Sequence, residues 1–304
     1  MDSRHLVDPE LRPMLEVVPS FATGVEALAA SREMVDAMPV EELPAGVERS
    51  EVAIPRADGG SVRALVHRSS GAAPRLALLH LHPGGFILGR PEMRDARNAA
   101  LALEPGAVVV SIDYRKAPEH PYPAALEDAL AAWRWIRAEV ASGLPVALLG
   151  ESAGGGLAAS LTHRLVDLGE PLPALQALIY PMLDPRSSAD GAAAPHLGEF
   201  VWTRANNRFA WEAYLGPHGK AEEAAPAFRA SLAGLPPTFL LVGGLDLFLE
   251  EDLDYARRLM LAGVPTQLHV LPGAYHGFDM AGPTAAERTM SHLLLQALEA
   301  VAAR

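Results

Sequence analysis

Cysteine is missing from this chain of 304 residues, which excludes a disulfide framework and thiolate chemistry alike. Positive charge is in short supply: 25 Lys and Arg stand against 37 Asp and Glu. The resulting formal net charge of −12 argues against a nucleic-acid partner, which would call for a basic stripe. No uncharged apolar run reaches the roughly eighteen residues that a membrane-spanning helix requires, so integral membrane association is not expected. The N-terminus, from Met1 to Glu10, lacks the apolar centre of a signal peptide. A cytoplasmic protein is the default expectation. Internal repeats, low-complexity tracts and a Gly-Lys-Ser/Thr phosphate loop are also missing.

What the chain has is apolar material. Half of its residues are hydrophobic and a fifth are charged, enough for a large buried core. Residues 1–45 read as broken helix. Leu11, Leu15 and Val18 fall at helical spacing, as do Leu28, Val35 and Met38, while Pro13, Pro19, Pro39 and Pro44 divide the region. Residues 51–54 and 61–67 bracket Ala57-Asp58-Gly59-Gly60 and read as an antiparallel hairpin. Apolar runs then alternate with helical stretches. Strands are expected at 76–79, 107–112, 145–149, 174–180, 238–242 and 266–271, and helices at 124–140, 253–261 and 285–303. Strands so uniformly apolar predict an α/β fold with a mostly parallel sheet covered by helices. Residues 185–236 interrupt the alternation with more chain than a plain connection needs, including helical pieces around 200–215. With the N-terminal segment, this insert is expected to cap a core formed by residues 46–184 and 237–304.

The organising stretch is Gly150-Glu151-Ser152-Ala153-Gly154, between an apolar strand and a helix carrying Leu157, Leu161 and Leu165. A serine on such a strand–turn–helix corner projects its hydroxyl beyond the sheet edge. It needs a base, and the base an orienting acid, from loops at the same edge and later in the chain. Of eleven histidines, five precede the serine, and His163, His196, His218, His269 and His292 fall in helices, the insert or a strand. His276 alone occupies a loop just past the last strand. Asp246 follows the preceding strand and is favoured as the acid. Glu250, Glu251, Asp252 and Asp254 open a helix, where acidic residues suit the dipole; Asp184, also at a strand end, is the stronger competitor. Backbone N–H groups of Ala153, Gly84 and Gly85 are candidate oxyanion donors. His80 and His82 share a strand face, but no carboxylate completes a metal pattern. Tyr122, Trp133 and Trp135 read as packing.

His82-Pro83-Gly84-Gly85-Phe86, the run from Asp113 to Ala125 containing Tyr114-Arg115-Lys116-Ala117-Pro118, Gly150 to Gly155, Tyr180-Pro181, Asp246 and His276-Gly277-Phe278 together resemble the hormone-sensitive-lipase-like (bacterial family IV) carboxylesterases of the α/β-hydrolase superfamily. The likeness spans roughly residues 75–304. It implies an eight-stranded sheet, a helical cap, and hydrolysis of short- to medium-chain carboxylic esters without cofactor or metal. It also implies a triad of Ser152, Asp246 and His276, oxyanion donors at Gly84, Gly85 and Ala153, and a loop-supporting role for His82. Two positions depart from the family pattern: Pro83 replaces the first glycine of His-Gly-Gly-Gly, and Glu151 replaces aspartate. Proline has no N–H, but the donors match the following glycines, so a working but stiffer loop is expected. Leu15, Phe21, Phe86, Phe200, Val201, Trp202, Phe209 and Trp211 are candidates for the substrate pocket. The expected partner is a small-molecule ester; a homodimer is left open. The alternatives are an amidase or arylformamidase-like hydrolase, and a non-catalytic ligand-binding protein on the same fold.

Overall fold

The computed structural model describes residues 3–18, 21–40, 42–189, 191 and 194–303, so Pro19 lies outside the described residues. Eight strands form one sheet: β1 (Val47–Pro55), β2 (Ser61–Ser69), β3 (Leu76–Leu81), β4 (Ala107–Asp113), β5 (Val146–Glu151), β6 (Leu175–Ile179), β7 (Thr238–Gly243) and β8 (Thr266–Leu271). Their spatial order is β1-β2-β4-β3-β5-β6-β7-β8. The β1–β2 and β2–β4 pairs are antiparallel and the remaining pairs parallel. The β1–β2 turn is fastened by Asp58, whose Oδ1 accepts the Gly60 N–H at 3.0 Å.

Helices fill the connections: α1 (Val25–Asp36), α2 (Asp95–Leu103), α3 (Ala124–Trp135), α4 (Ala153–Leu168), α5 (Arg204–Leu215), the single turn α6 (Ala221–Ala224), α7 (Leu249–Leu261) and α8 (Ala285–Ala302). α4 packs on β3, β5 and β6, while α7 and α8 pack on the β6–β8 side and α2 on β2 and β4. Every residue of β3, β5, β6 and β7 is consequently buried, as expected of parallel strands covered on both faces. The edges differ. β8, whose last residues are Gln267 to Leu271, is only partly covered, and β1 is mostly exposed. The expectation of uniform burial therefore fails at β8, which has a neighbour on one side only.

Other boundaries also move. α7 begins at Leu249 rather than 253, so Glu250, Glu251 and Asp252 lie within its first turn. Helix α5 begins at Arg204, capped by Thr203 and Asn206 in a reciprocal capping box, so Phe200 and Val201 precede it. Two short 3₁₀ turns, Arg4–Leu6 and Arg12–Glu16, precede α1, whose buried face carries Leu28 and Val35; Met38 lies beyond its end and is exposed.

The N-terminal segment and the β6–β7 insert meet. Asn206 Nδ2 donates to the carbonyls of Phe21 (2.9 Å) and Ala22 (3.1 Å), and the Phe21 and Trp202 rings lie 6.1 Å apart. Parallel strands deliver their carboxyl ends to one rim, where ligands of open α/β sheets bind. That rim gathers the loops after β3, β5, β6, β7 and β8.

Candidate active site

The turn between β5 and α4 holds Ser152 at φ 54° and ψ −122°, a conformation seldom taken by a side-chain-bearing residue. Three backbone hydrogen bonds hold it there: Ser152 N–H donates to the Ile179 carbonyl, and the Ser152 carbonyl accepts from Gly156 and Met182 N–H. The corner leaves no room for a side chain at residue 154, where a Cβ would fall 2.0 Å from the Leu81 carbonyl oxygen. Ser152 Oγ lies 2.8 Å from His276 Nε2. On the other side of the ring, His276 Nδ1 lies 2.8 Å from Asp246 Oδ2. Asp246 Oδ1 accepts the Phe248 N–H at 2.9 Å. That bond fixes the carboxylate beside Nδ1. All three side chains are buried. The imidazole is boxed by the edges of Tyr180 and Phe248, with ring centroids at 4.8 and 4.9 Å.

The loop after β3 passes beside the serine. Gly84 (φ 134°) and Gly85 (φ 60°) line the same pocket as Ser152, and Ala153 begins α4. Among the described residues, no protein acceptor takes the N–H groups of Gly84, Gly85 or Ala153. A Cβ on Gly85 would meet the Trp202 ring at 2.5 Å, so the insert lies directly against this loop. His82 braces it from below: its Nδ1 pairs with the Pro83 carbonyl at 2.8 Å, and its ring stacks on Tyr114 at 4.2 Å. Tyr114 in turn donates to the His82 carbonyl. Burial and the nearby Lys116 push the His82 pKa down to about 3, so the ring is neutral. His80 turns elsewhere, to Ser111 Oγ at 2.7 Å. Among the described residues, no group of three His, Asp or Glu side chains is arranged to hold a metal ion.

The pocket at Ser152 encloses about 50 Å³. Phe21, Val201 and Trp202 line it, as expected from sequence; Leu15, Phe86, Phe200, Phe209 and Trp211 do not. Phe86 is instead buried between the loop after β3 and α5, stacked on Tyr214 at 3.9 Å with Trp211 on its edge at 5.5 Å. Phe209 and Trp211 face the core, Leu15 packs against it, and Phe200 lies against Tyr275. Leu88, Met93, Arg94, Tyr180 and Met280 take the remaining wall. Of these, only Tyr180 carried a signal, in its Tyr-Pro pair. Asp184 is likewise engaged elsewhere, bonded to Arg186 at 2.6 Å.

A buried ionic cluster beneath the site had no signature in the sequence. Glu151, next to the serine, is bound by both Arg94 and Arg97, and Asp279, three residues past His276, is bound by the same two arginines. Tyr180 donates to Asp279 Oδ1 at 2.6 Å. Burial alone would push the Glu151 carboxyl up, but the two guanidinium groups hold it well below the usual carboxylate range. The longer side chain at residue 151 is thus matched by two cations from α2 and the turn before it. The cluster ties the serine corner to the histidine loop.

Residues 78–280 match the α/β-hydrolase fold family. The chain is 33% identical to Esterase LipI of Mycobacterium tuberculosis, over 95% of this chain and 93% of that one. It is 30% identical to an ethyl acetate hydrolase of Pseudomonas putida, over 77% and 76% of the two chains. Among solved structures it resembles a bacterial heroin esterase, with a TM-score of 0.90 and 32% identity over 98% of this chain and 99% of that one. An esterase of the bacterial hormone-sensitive lipase family superposes with a TM-score of 0.75 and 27% identity, over 95% and 98%. With fold, family match and relatives in agreement, this chain belongs to the α/β-hydrolase fold family, among its hormone-sensitive-lipase-like carboxylic ester hydrolases.

Proposed function

We propose that this carboxylic ester hydrolase works through an acyl-enzyme, with Ser152 as nucleophile, His276 as general base and acid, and Asp246 as the group that orients His276. The observation that carries the reading is the unbroken chain of 2.8 Å contacts from Ser152 Oγ through the imidazole to Asp246. In that arrangement His276 Nε2 takes the serine proton as Oγ attacks the ester carbonyl. The carbonyl oxygen becomes negative and swings toward the N–H groups of Gly84, Gly85 and Ala153, which favour that charge more than the ground state. The imidazolium then protonates the departing alkoxide. Water repeats the sequence on the acyl-enzyme, and His276 passes its second proton to Ser152 as the acid leaves. His82, neutral and hydrogen-bonded to the Pro83 carbonyl, holds the donor loop in place.

Residues 1–45 and 185–236 act as a cap over a core of residues 46–184 and 237–304, supported by the bonds from Asn206 to Phe21 and Ala22 and by Trp202 over Gly85. A pocket of about 50 Å³ at the serine suits short acyl groups. Ser152→Ala should lower kcat/KM on a nitrophenyl ester by roughly six orders of magnitude. A variant retaining even a tenth of the activity would overturn the assignment of the nucleophile.

A further inference from the structure

The pocket at Ser152 is not the only cavity on that rim. A second, of about 700 Å³, runs between α2 and α8. Its size falls in the ordinary range for ligand sites, about 300–1,000 Å³. The first, at about 50 Å³, falls well below that range. Met93, Arg94 and Met280 line both spaces. They therefore form the wall between the reacting atoms and the larger groove.

Two of those three wall residues can yield. Methionine is unbranched, turns about three bonds and repacks at little cost. Met93 and Met280 are only half-buried, and Met14 and Met38 continue the same lining into the groove. Arg94 cannot yield, because Glu151, Asp279 and Tyr180 bind it. Its charge is also spoken for, so it offers no free cation to an anionic substrate. Most of the acids in its lining are likewise paired, Glu92 with Arg63, Asp95 with Arg49, and Asp279 with Arg94 and Arg97. A neutral apolar chain would lie against methionine and leucine.

We propose that Met93 and Met280 form a movable partition through which one arm of the ester, a long neutral apolar chain, extends from the catalytic serine into the α2–α8 groove, while the other arm is confined to a group of about acetyl size. The proposal rests on Ser152 being the nucleophile and names the substrate class served by that site.

Two substrate series test it on the intact enzyme: alkyl acetates from ethyl to decyl, which lengthen the alcohol arm, and nitrophenyl esters from acetate to decanoate, which lengthen the acyl arm. The alkyl acetates should hold their kcat/KM to the longest member while the nitrophenyl esters fall by about tenfold or more beyond four carbons, and the reverse order would overturn the proposal. Ala100→Trp, on the exposed face of α2 within the groove, should cut the long-to-short ratio of the tolerant series by about tenfold. Leu295→Trp, on α8, should do the same from the opposite wall. Met93→Ala should raise that ratio. If both series fall beyond four carbons, or if neither tryptophan moves the ratio, the groove takes no part in binding and the proposal fails. An error in the nucleophile would show differently, as full turnover by Ser152→Ala with the chain-length ratios intact.

Discussion

Two buried glutamates, one on each side of the candidate site, show how neighbours rather than burial decide a carboxyl's state. Glu151 and Glu251 are both sealed from solvent. Glu151 faces Arg94 and Arg97, which hold it far below the usual carboxylate range despite the burial that would raise it. Glu251, in the first turn of α7, has no ion pair with an arginine among the described residues; the nearby Arg186 binds Asp184 instead. Glu251 accepts the Leu183 N–H at 2.7 Å and a bond from Ser187, yet burial pushes it well above that range, helped by Asp184. Its neighbour Asp252 goes the same way: burial, then Glu251 and Asp246, raise it, and neither of its oxygens has a hydrogen-bond partner among the described residues. One side of the site is an ionic clamp, the other a pair of carboxyls that burial pushes toward the protonated form.

The sharpest way to break this contrast is to remove a cation from the first side. Arg94→Met leaves Glu151 and Asp279 sharing one guanidinium in a sealed space, and should cost about 3–5 kcal/mol in urea unfolding. A loss below about 1 kcal/mol, the value of an exposed pair, would mean that the clamp contributes no more than surface charge.

Next in size is the pH dependence, which should have opposite signs on the two sides. Glu151 and Asp279 have depressed folded-state values, so their stabilisation is present above the ordinary carboxylate range, near pH 4, and is lost as pH falls through the folded values. Glu251 and Asp252 have raised values; their stabilisation is complete below that range and is lost as pH rises through the folded values. Stability against pH should therefore form a dome. Glu251→Gln should flatten only its alkaline limb and Glu151→Gln only its acid limb, in a denaturation series across pH. A Glu251→Gln profile that parallels the parent would show Glu251 to be ionised throughout.

The smallest effect should come from Asp252→Asn. At pH 4 the substitution should be neutral, because the folded acid already carries a proton. At pH 8 it should stabilise, since no proton need be retained against the solvent. Equal thermal midpoints for parent and variant at both pH values would remove Asp252 from the contrast.

The same two sides differ in how much could be read beforehand. Ser152, Asp246 and His276 stood out because each ends a strand or opens a turn whose local pattern is plain, and a parallel sheet delivers such ends to one rim. Strands β3 to β7 were legible for a related reason: burial on both faces demands unbroken apolar runs. The ionic clamp was not legible. It joins Arg94 and Arg97, Glu151 and Asp279 from three distant segments, and no one segment differs from an ordinary charged stretch. The pocket wall escaped in part for the opposite reason. Phe86 adjoins the site loop in sequence and Phe209 and Trp211 lie in the insert, but a large aromatic gains most from full burial, and they turned into the core. Flexible Met93 and Met280 took their place.

The contact between Trp202 and Gly85 has a consequence for engineering. Because the roof of the loop after β3 belongs to the segment between β6 and β7, the two cannot be exchanged as independent modules. A roof transplanted from a relative must present a ring of similar breadth above residue 85, or bring its own loop with it. Libraries that recombine the insert alone should therefore recover active clones mainly where an aromatic is kept at 202, whatever else is varied.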